Sequence, residues 1–198
     1  MKPMKAIFAL ILTAALFSFQ AAEDSYLVNG AASKLHWKAK KTTGEHEGNV
    51  IVKHGKLKMS GETPLRAEFV IDMTTITVTD IKDAEQNAKL VNHLKSEDFF
   101  STAKHATATI TVKKFVKNTN GTYNATADLM IKGITNEITF PVKFVKSATG
   151  YTATADITID RTKWDVKYNS KSILGAAADK FIYDDVNFNV TLVLDKQK

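Results

Sequence analysis

The sequence predicts an all-β fold, a sandwich or a closed barrel of antiparallel strands, with one amphipathic helix set into a connection. Apolar and polar residues alternate with a period of two from Ser33 onward, as in strands that bury one face. These runs are short and are punctuated by turn-forming pairs. One segment, residues 83–96, switches to helical spacing.

The first run is Leu35-x-Trp37-x-Ala39. A second places Leu65, Ala67, Phe69, Ile71 and Met73 on one face, opposite Arg66, Glu68, Val70 and Asp72. The helical segment follows, with Ala84, Ala88, Val91 and Leu94 on one side and Asp80 or Asp83 placed to cap its start. Next come Ala106-x-Ala108-x-Ile110-x-Val112 and Tyr123-x-Ala125-x-Ala127-x-Leu129; Asn120-Gly121 between them suits a tight hairpin, so the two should pair antiparallel. Ile138-x-Phe140-x-Val142-x-Phe144, Tyr151-x-Ala153-x-Ala155-x-Ile157-x-Ile159 and Phe188-x-Val190-x-Leu192-x-Leu194 complete the set, with turns at Lys132-Gly133 and Thr149-Gly150. Residues 165–185 show no period and read as a long mobile loop.

The N-terminus has the layout of a secretory signal peptide: Met1-Lys2-Pro3-Met4-Lys5, an uncharged apolar run over residues 6–19, then Gln20-Ala21-Ala22. That run is shorter than the roughly 20 residues that span a bilayer. Residues 1–22 are therefore expected to be removed, leaving 23–198 as one domain in the periplasm or secreted. With no cysteine, the chain can form neither a lipid-modified N-terminus nor disulfides. It carries 27 basic and 21 acidic residues, a net charge of +6 without long like-charge blocks, which is a mild bias toward anionic surfaces. Arg66 and Arg161 are its only arginines, so the forked contacts of nucleic-acid readers are scarce and no nucleic-acid partner is expected.

Motifs for catalysis are missing: there is no Gly-x-Ser-x-Gly elbow, no phosphate-cradling glycine loop and no His-Glu-x-x-His. Asp160, Asp165, Asp184 and Asp185 could be imagined as an acid/base pair, but carboxylates at strand ends more often cap turns. Asp160-Arg161 reads as a structural ion pair or a gate. Of the histidines His36, His46, His54, His93 and His105, His46 lies between Glu45 and Glu47, which on a strand point to the opposite face, so a hydrogen-bonded structural role is favoured over a metal. The informative feature is small residues at inward positions: Ala106 and Ala108, Ala125 and Ala127, Ala153 and Ala155. In a barrel of about eight strands they either leave room for one ligand or are filled over by aromatics from the opposite wall.

Several segments, taken in order, resemble the YceI-like family of polyisoprenoid-binding proteins. They are Trp37-Lys38-Ala39-Lys40 with Gly44-Glu45-His46-Glu47-Gly48, then Phe69-Val70-Ile71-Asp72-Met73 with Thr74-Thr75-Ile76. His93-Leu94-Lys95-Ser96-Glu97-Asp98-Phe99-Phe100, Asp128-Leu129-Met130-Ile131-Lys132-Gly133 and Ile159-Asp160-Arg161-Thr162-Lys163-Trp164 follow. Ala127, Met130 and Asp165 depart from the family, which commonly has glycine, threonine and glycine there. The resemblance covers about residues 26–194. It implies an antiparallel lipocalin-like barrel of about eight strands, closed at one end, whose elongated apolar cavity takes an isoprenoid chain or another long lipid tail.

On that resemblance, Trp37, Phe69, Ile71, Ile110, Leu129, Phe140, Ile157, Trp164 and Phe188 are expected on the cavity wall. Leu90, Leu94, Phe99 and Phe100 are expected to close one end, and added bulk at Ala125 or Ala155 to displace ligand. The ligand would be a polyisoprenoid, quinone-like or fatty-acid-derived lipid, held for transport, storage or sequestration with no catalytic residue, metal or cofactor. Two other classes stay open: an envelope enzyme acting on a lipid or sugar through loop residues near Trp164 and Asp185, and a ligand-free interaction or stress protein with a filled barrel. A hydrogen-bonded wall admits no chain, so the helix and residues 165–185 are expected to flank the route of uptake at an end. Lys89, Lys95, Lys167, Lys171 and Lys180 in those segments point to transient contact with an anionic membrane surface. The oligomeric state is left open, a dimer included.

Overall fold

The computed structural model describes residues 22–174 and 181–197; the expected signal peptide and Lys180 lie outside the described residues, apart from Ala22. Ten strands build one antiparallel sheet: β1 Glu23–Val28, β2 Lys34–Lys41, β3 Gly44–Asn49, β4 Ile51–Ser60, β5 Thr63–Asp72, β6 Thr107–Lys117, β7 Tyr123–Ile131, β8 Ile134–Lys146, β9 Gly150–Asp160 and β10 Ile182–Lys196. Both β1 and β2 pair with β10, at Leu194–Lys196 and Ile182–Thr191, so they act as one long kinked strand. Likewise β3 runs on into β4: β3 pairs with β2 and β4 with β1. The sheet closes through β1–β10 into an eight-membered antiparallel barrel, which removes exposed sheet edges from its wall.

The expected alternation holds where the register is regular. Along β7, Tyr123, Ala125, Ala127, Leu129 and Ile131 are buried and the residues between them are not. The turn Lys132-Gly133 has positive φ at both residues, 52° and 75°, and joins the paired Ile131 and Ile134 as a two-residue loop. Asn120-Gly121 lies in a longer hairpin loop, where the Asn120 side chain accepts from the backbone N–H of Thr122.

Strands β1, β3 and β4 carry no period-2 signal. In β4 a bulge between Val52 and His54 shifts the phase, so Val52, Leu57 and Met59 are all buried although their spacing is not even. In β3 the polar sequence Gly-Glu-His-Glu-Gly-Asn hides a structural demand. Residues 77–79 run alongside it, Thr77 and Thr79 donating backbone N–H groups to the carbonyls of Asn49 and Glu47. A Cβ on Gly48 would lie 1.8 Å from the Thr77 carbonyl oxygen and 2.9 Å from Cζ2 of Trp37. That carbonyl also accepts the Trp37 indole N–H at 3.2 Å. Gly48→Ala is therefore expected to lower stability by about 1–3 kcal/mol, read as the midpoint of urea unfolding, because two backbones must part and Trp37 loses its seat.

The helix α1, Ala84–Lys95, matches its expected position; Asp83 caps it by accepting the Gln86 N–H. Its expected apolar side is met in its second half only. Ala84 and Ala88 are exposed, whereas Leu94 is buried and Leu90 and Val91 are half-buried. Alanines have too little surface for burial to orient a short helix, and the larger side chains one position away win. Within the expected loop at 165–185, the described residues 165–174 and 181–185 are better organised than a mobile loop. A 3-10 turn Arg161–Trp164, a helical turn α2 Lys171–Leu174 and several bonds to Arg161 hold the described part to the barrel.

Candidate functional site: an apolar channel inside the barrel

The inward faces enclose a cavity of about 190 Å³ whose inner surface is entirely apolar. Its lining runs along β5 from Ala67 to Met73, roughly 20 Å at about 3.3 Å per residue. Spread over that length, the space is a thin channel suited to one extended chain.

Expected wall residues Trp37, Phe69, Ile71, Ile110, Leu129, Phe140, Ala155, Ile157 and Phe188 line it, and Leu94, Phe99 and Phe100 border it beneath α1. Leu90, Ala125 and Trp164 do not. Leu90 faces a surface hollow shared with Lys41, His46, Lys89 and His93. Ala125 is 0% exposed and lies off the channel, between its cross-strand neighbours Phe115 and Phe140, which do line it. Trp164, 1% exposed, packs in the core and donates its indole N–H to the Leu129 carbonyl at 2.9 Å, pinning the 3-10 turn to β7. Of the remaining small residues, Ala106 lies exposed beyond the start of β6, while Ala108, Ala153 and Ala155 border the channel. Among the lining residues missed by sequence, Val142, Phe144, Val190 and Leu192 lay on faces the alternation had already identified. Val52 and Leu57 were hidden by the β4 bulge, and Ile76 and Val166 stand in connections with no period.

Aromatic side chains gather at both ends. Beneath α1 the rings of His93, Phe99 and Tyr168 form a cluster with centroids 4.6–5.4 Å apart. At the other end Tyr26 meets Tyr151 edge-on at 5.1 Å, and Phe115, Tyr123 and Phe144 pack together. Arg161 is 4% exposed, and its guanidinium donates to the carbonyls of Val166 at 2.7 Å, Tyr168 at 3.0 Å, and Ile182 and Tyr183 at 3.2 Å. Burial lowers its proton affinity, which the nearby Asp184 and Asp160 partly restore. Arg161 is thus a staple through the segment that follows β9.

The carboxylates are spent on structure. Asp160 caps the 3-10 turn by accepting from the N–H and hydroxyl of Thr162. Burial pushes the Asp184 carboxyl up, but bonds from Ser170 and Ser172 and the Arg161 charge outweigh it and hold it below the usual range. Asp165 takes the left-handed conformation, φ 59°, that glycine ordinarily fills, and its side chain meets Lys167 at 2.8 Å. Asp185 is exposed on the outer face. His46 Nδ1 lies 2.8 Å from an Asp80 carboxylate oxygen and its Nε2 lies 2.9 Å from Lys41 Nζ, so both ring nitrogens have partners in the fold. No group of three or more candidate metal ligands is gathered among the described residues.

A closed antiparallel β-barrel with a wholly apolar internal channel defines the class: a barrel built around an interior cavity. Within that class, the YceI-like domain matches residues 26–194, and the chain belongs to this family. It is 28% identical to a UPF0312 protein of Vibrio campbellii over 145 residues, 71% of this chain and 74% of that one. A UPF0312 protein of Staphylococcus aureus is 33% identical over 111 residues, 52% of this chain and 61% of its own. Among solved structures, Burkholderia cenocepacia BcnA superposes with a TM-score of 0.67 at 19% identity, covering 83% of this chain and 98% of that one. A polyisoprenoid binding domain from Saccharophagus degradans, implicated in plant cell wall breakdown, gives 0.60 at 18% identity, covering 87% and 98%. At these identities the structures show the shared fold.

Proposed function

We propose that this chain is an exported binding protein that holds a long apolar lipid chain in the barrel for transport, storage or sequestration. The observation that carries this reading is the channel itself, thin, long and without polar inner surface. Each methylene moved from water into such a space contributes roughly 0.8 kcal/mol, so an extended tail is retained without head-group contacts. A polyisoprenoid, quinone-like or fatty-acid-derived tail fits these demands, and the polyisoprenoid binding of the Saccharophagus degradans relative supports the choice. The N-terminal pattern supports export, and Lys89, Lys95, Lys167, Lys171 and Lys180 support transient contact with an anionic membrane surface. The carboxylates, engaged in caps and pairs, favour binding over catalysis.

Mass spectrometry of an organic extract of the protein, purified from envelope fractions without detergent, should recover one class of long-chain lipid in near-equimolar amount. Recovery of no lipid, together with failure to bind the fluorescent fatty acid cis-parinaric acid, would reject the carrier.

A further inference from the structure

The barrel wall is not evenly closed. β8 is paired with β7 at every residue from Ile134 to Val142, and β9 with β10 from Gly150 to Asp160. Between β8 and β9, however, only Lys143–Lys146 and Tyr151–Thr154 are paired. Above that point the two strands run unladdered as far as the Asn136 side chain, which donates to the Lys163 carbonyl at 2.9 Å. Pro141, just past the last rung, has no N–H to offer. Here the channel reaches the wall: Thr154 lines it, although Thr154 is exposed and alternates with the inward Ala153 and Ala155.

A second shortened ladder, between β5 and β6, stops at Ala67 and Val112, but no outward residue there borders the channel. The end beneath α1 carries, among the described residues, the aromatic cluster and the Arg161 staple. The premise that the wall bars passage therefore fails at one place.

Resting on the apolar-chain reading, we infer that the β8–β9 seam is the lateral portal through which the chain enters and leaves the barrel. Parting the two strands there breaks no backbone ladder above Lys143, whereas the neighbouring pairs β7–β8 and β9–β10 are laddered along the channel and must give up backbone hydrogen bonds to part. Ile138, Phe140 and Val142 on one side and Ala155 and Ile157 on the other give the seam apolar lips. A chain longer than the channel can keep its polar end in water while its tail lies inside.

The absence of cysteine allows clean cross-links. Thr139 and Thr158 are exposed and face each other when the Lys143–Thr154 register is continued upward. Thr139→Cys/Thr158→Cys, bridged with a short bis-maleimide, clamps the seam; His93→Cys/Tyr168→Cys, bridged likewise, clamps the α1 end. Stopped-flow fluorescence of cis-parinaric acid uptake should slow at least tenfold in the seam-clamped protein, with release slowed equally and equilibrium affinity unchanged. Bridging should leave uptake by the end-clamped protein equal to that of the same cysteine pair unbridged. Unchanged uptake with the seam clamped, or slowing only with the end clamped, overturns the portal while leaving the carrier intact. Failure of the unclamped parent to bind the probe overturns the carrier and the portal with it.

Discussion

Replacing Arg161 with alanine is expected to cost about 3 kcal/mol or more of folding stability, because a buried charge with fixed partners is lost and those partners are left behind. Four carbonyls, from Val166, Tyr168, Ile182 and Tyr183, lose their donor, that of Val166 in a buried site. Asp184 lies 3.6 Å away but keeps its bonds from Ser170 and Ser172, which limits the damage on that side. In a domain of this size the loss should lower the thermal midpoint by roughly 6 °C or more. Arg161→Lys should recover little, since an ammonium cannot reach carbonyls on both sides of the segment as the planar fork does. Thermal unfolding followed by circular dichroism checks both variants. Melting of Arg161→Ala within 2 °C of the parent would show that the staple is dispensable.

Ala155→Phe should leave the fold intact and weaken binding of cis-parinaric acid at least tenfold, a change of about 1.4 kcal/mol. Ala155 lines the channel, is paired with Val190 on one side and has no partner on β8, so a phenyl ring there enters open space. Ala125→Phe should do the reverse. With Phe115 and Phe140 on its two flanks and its position off the channel, the added ring overpacks the core and costs about 1–3 kcal/mol, while the folded fraction binds the probe as before. Probe titration and urea unfolding on the two variants separate the cases. Equal loss of stability in both, with binding unchanged, would mean that the channel near Ala155 is filled core.

The contrast between these two alanines shows what reading one strand at a time can and cannot decide. Alternation places both inward, and both are inward. Whether a small inward residue borders a void depends on its neighbours across the strands, hence on register, and register is set by bulges and turns that no single strand contains. The same cause hid β4, where one extra residue at the Val52–His54 bulge breaks the period. Trp164 and Leu90 were misplaced for another reason. Hydrophobicity says that a side chain is buried, not which side of the wall covers it, and an indole N–H is drawn to whichever carbonyl the fold presents, here that of Leu129.

What the sequence by itself determined was an all-β fold, seven of the strands with the faces they turn inward, and the helix with its Asp83 cap. These follow from periods of two and 3.6 and from local capping, which act over a few residues. The tertiary structure alone decided that the strands close on β1, that Arg161 organises the segment after β9, and that β8 and β9 part above Lys143. Each of these joins residues far apart in the chain. Closure, burial of a charge and the end of a ladder depend on which backbone groups find partners, and that is settled only when the whole barrel is assembled.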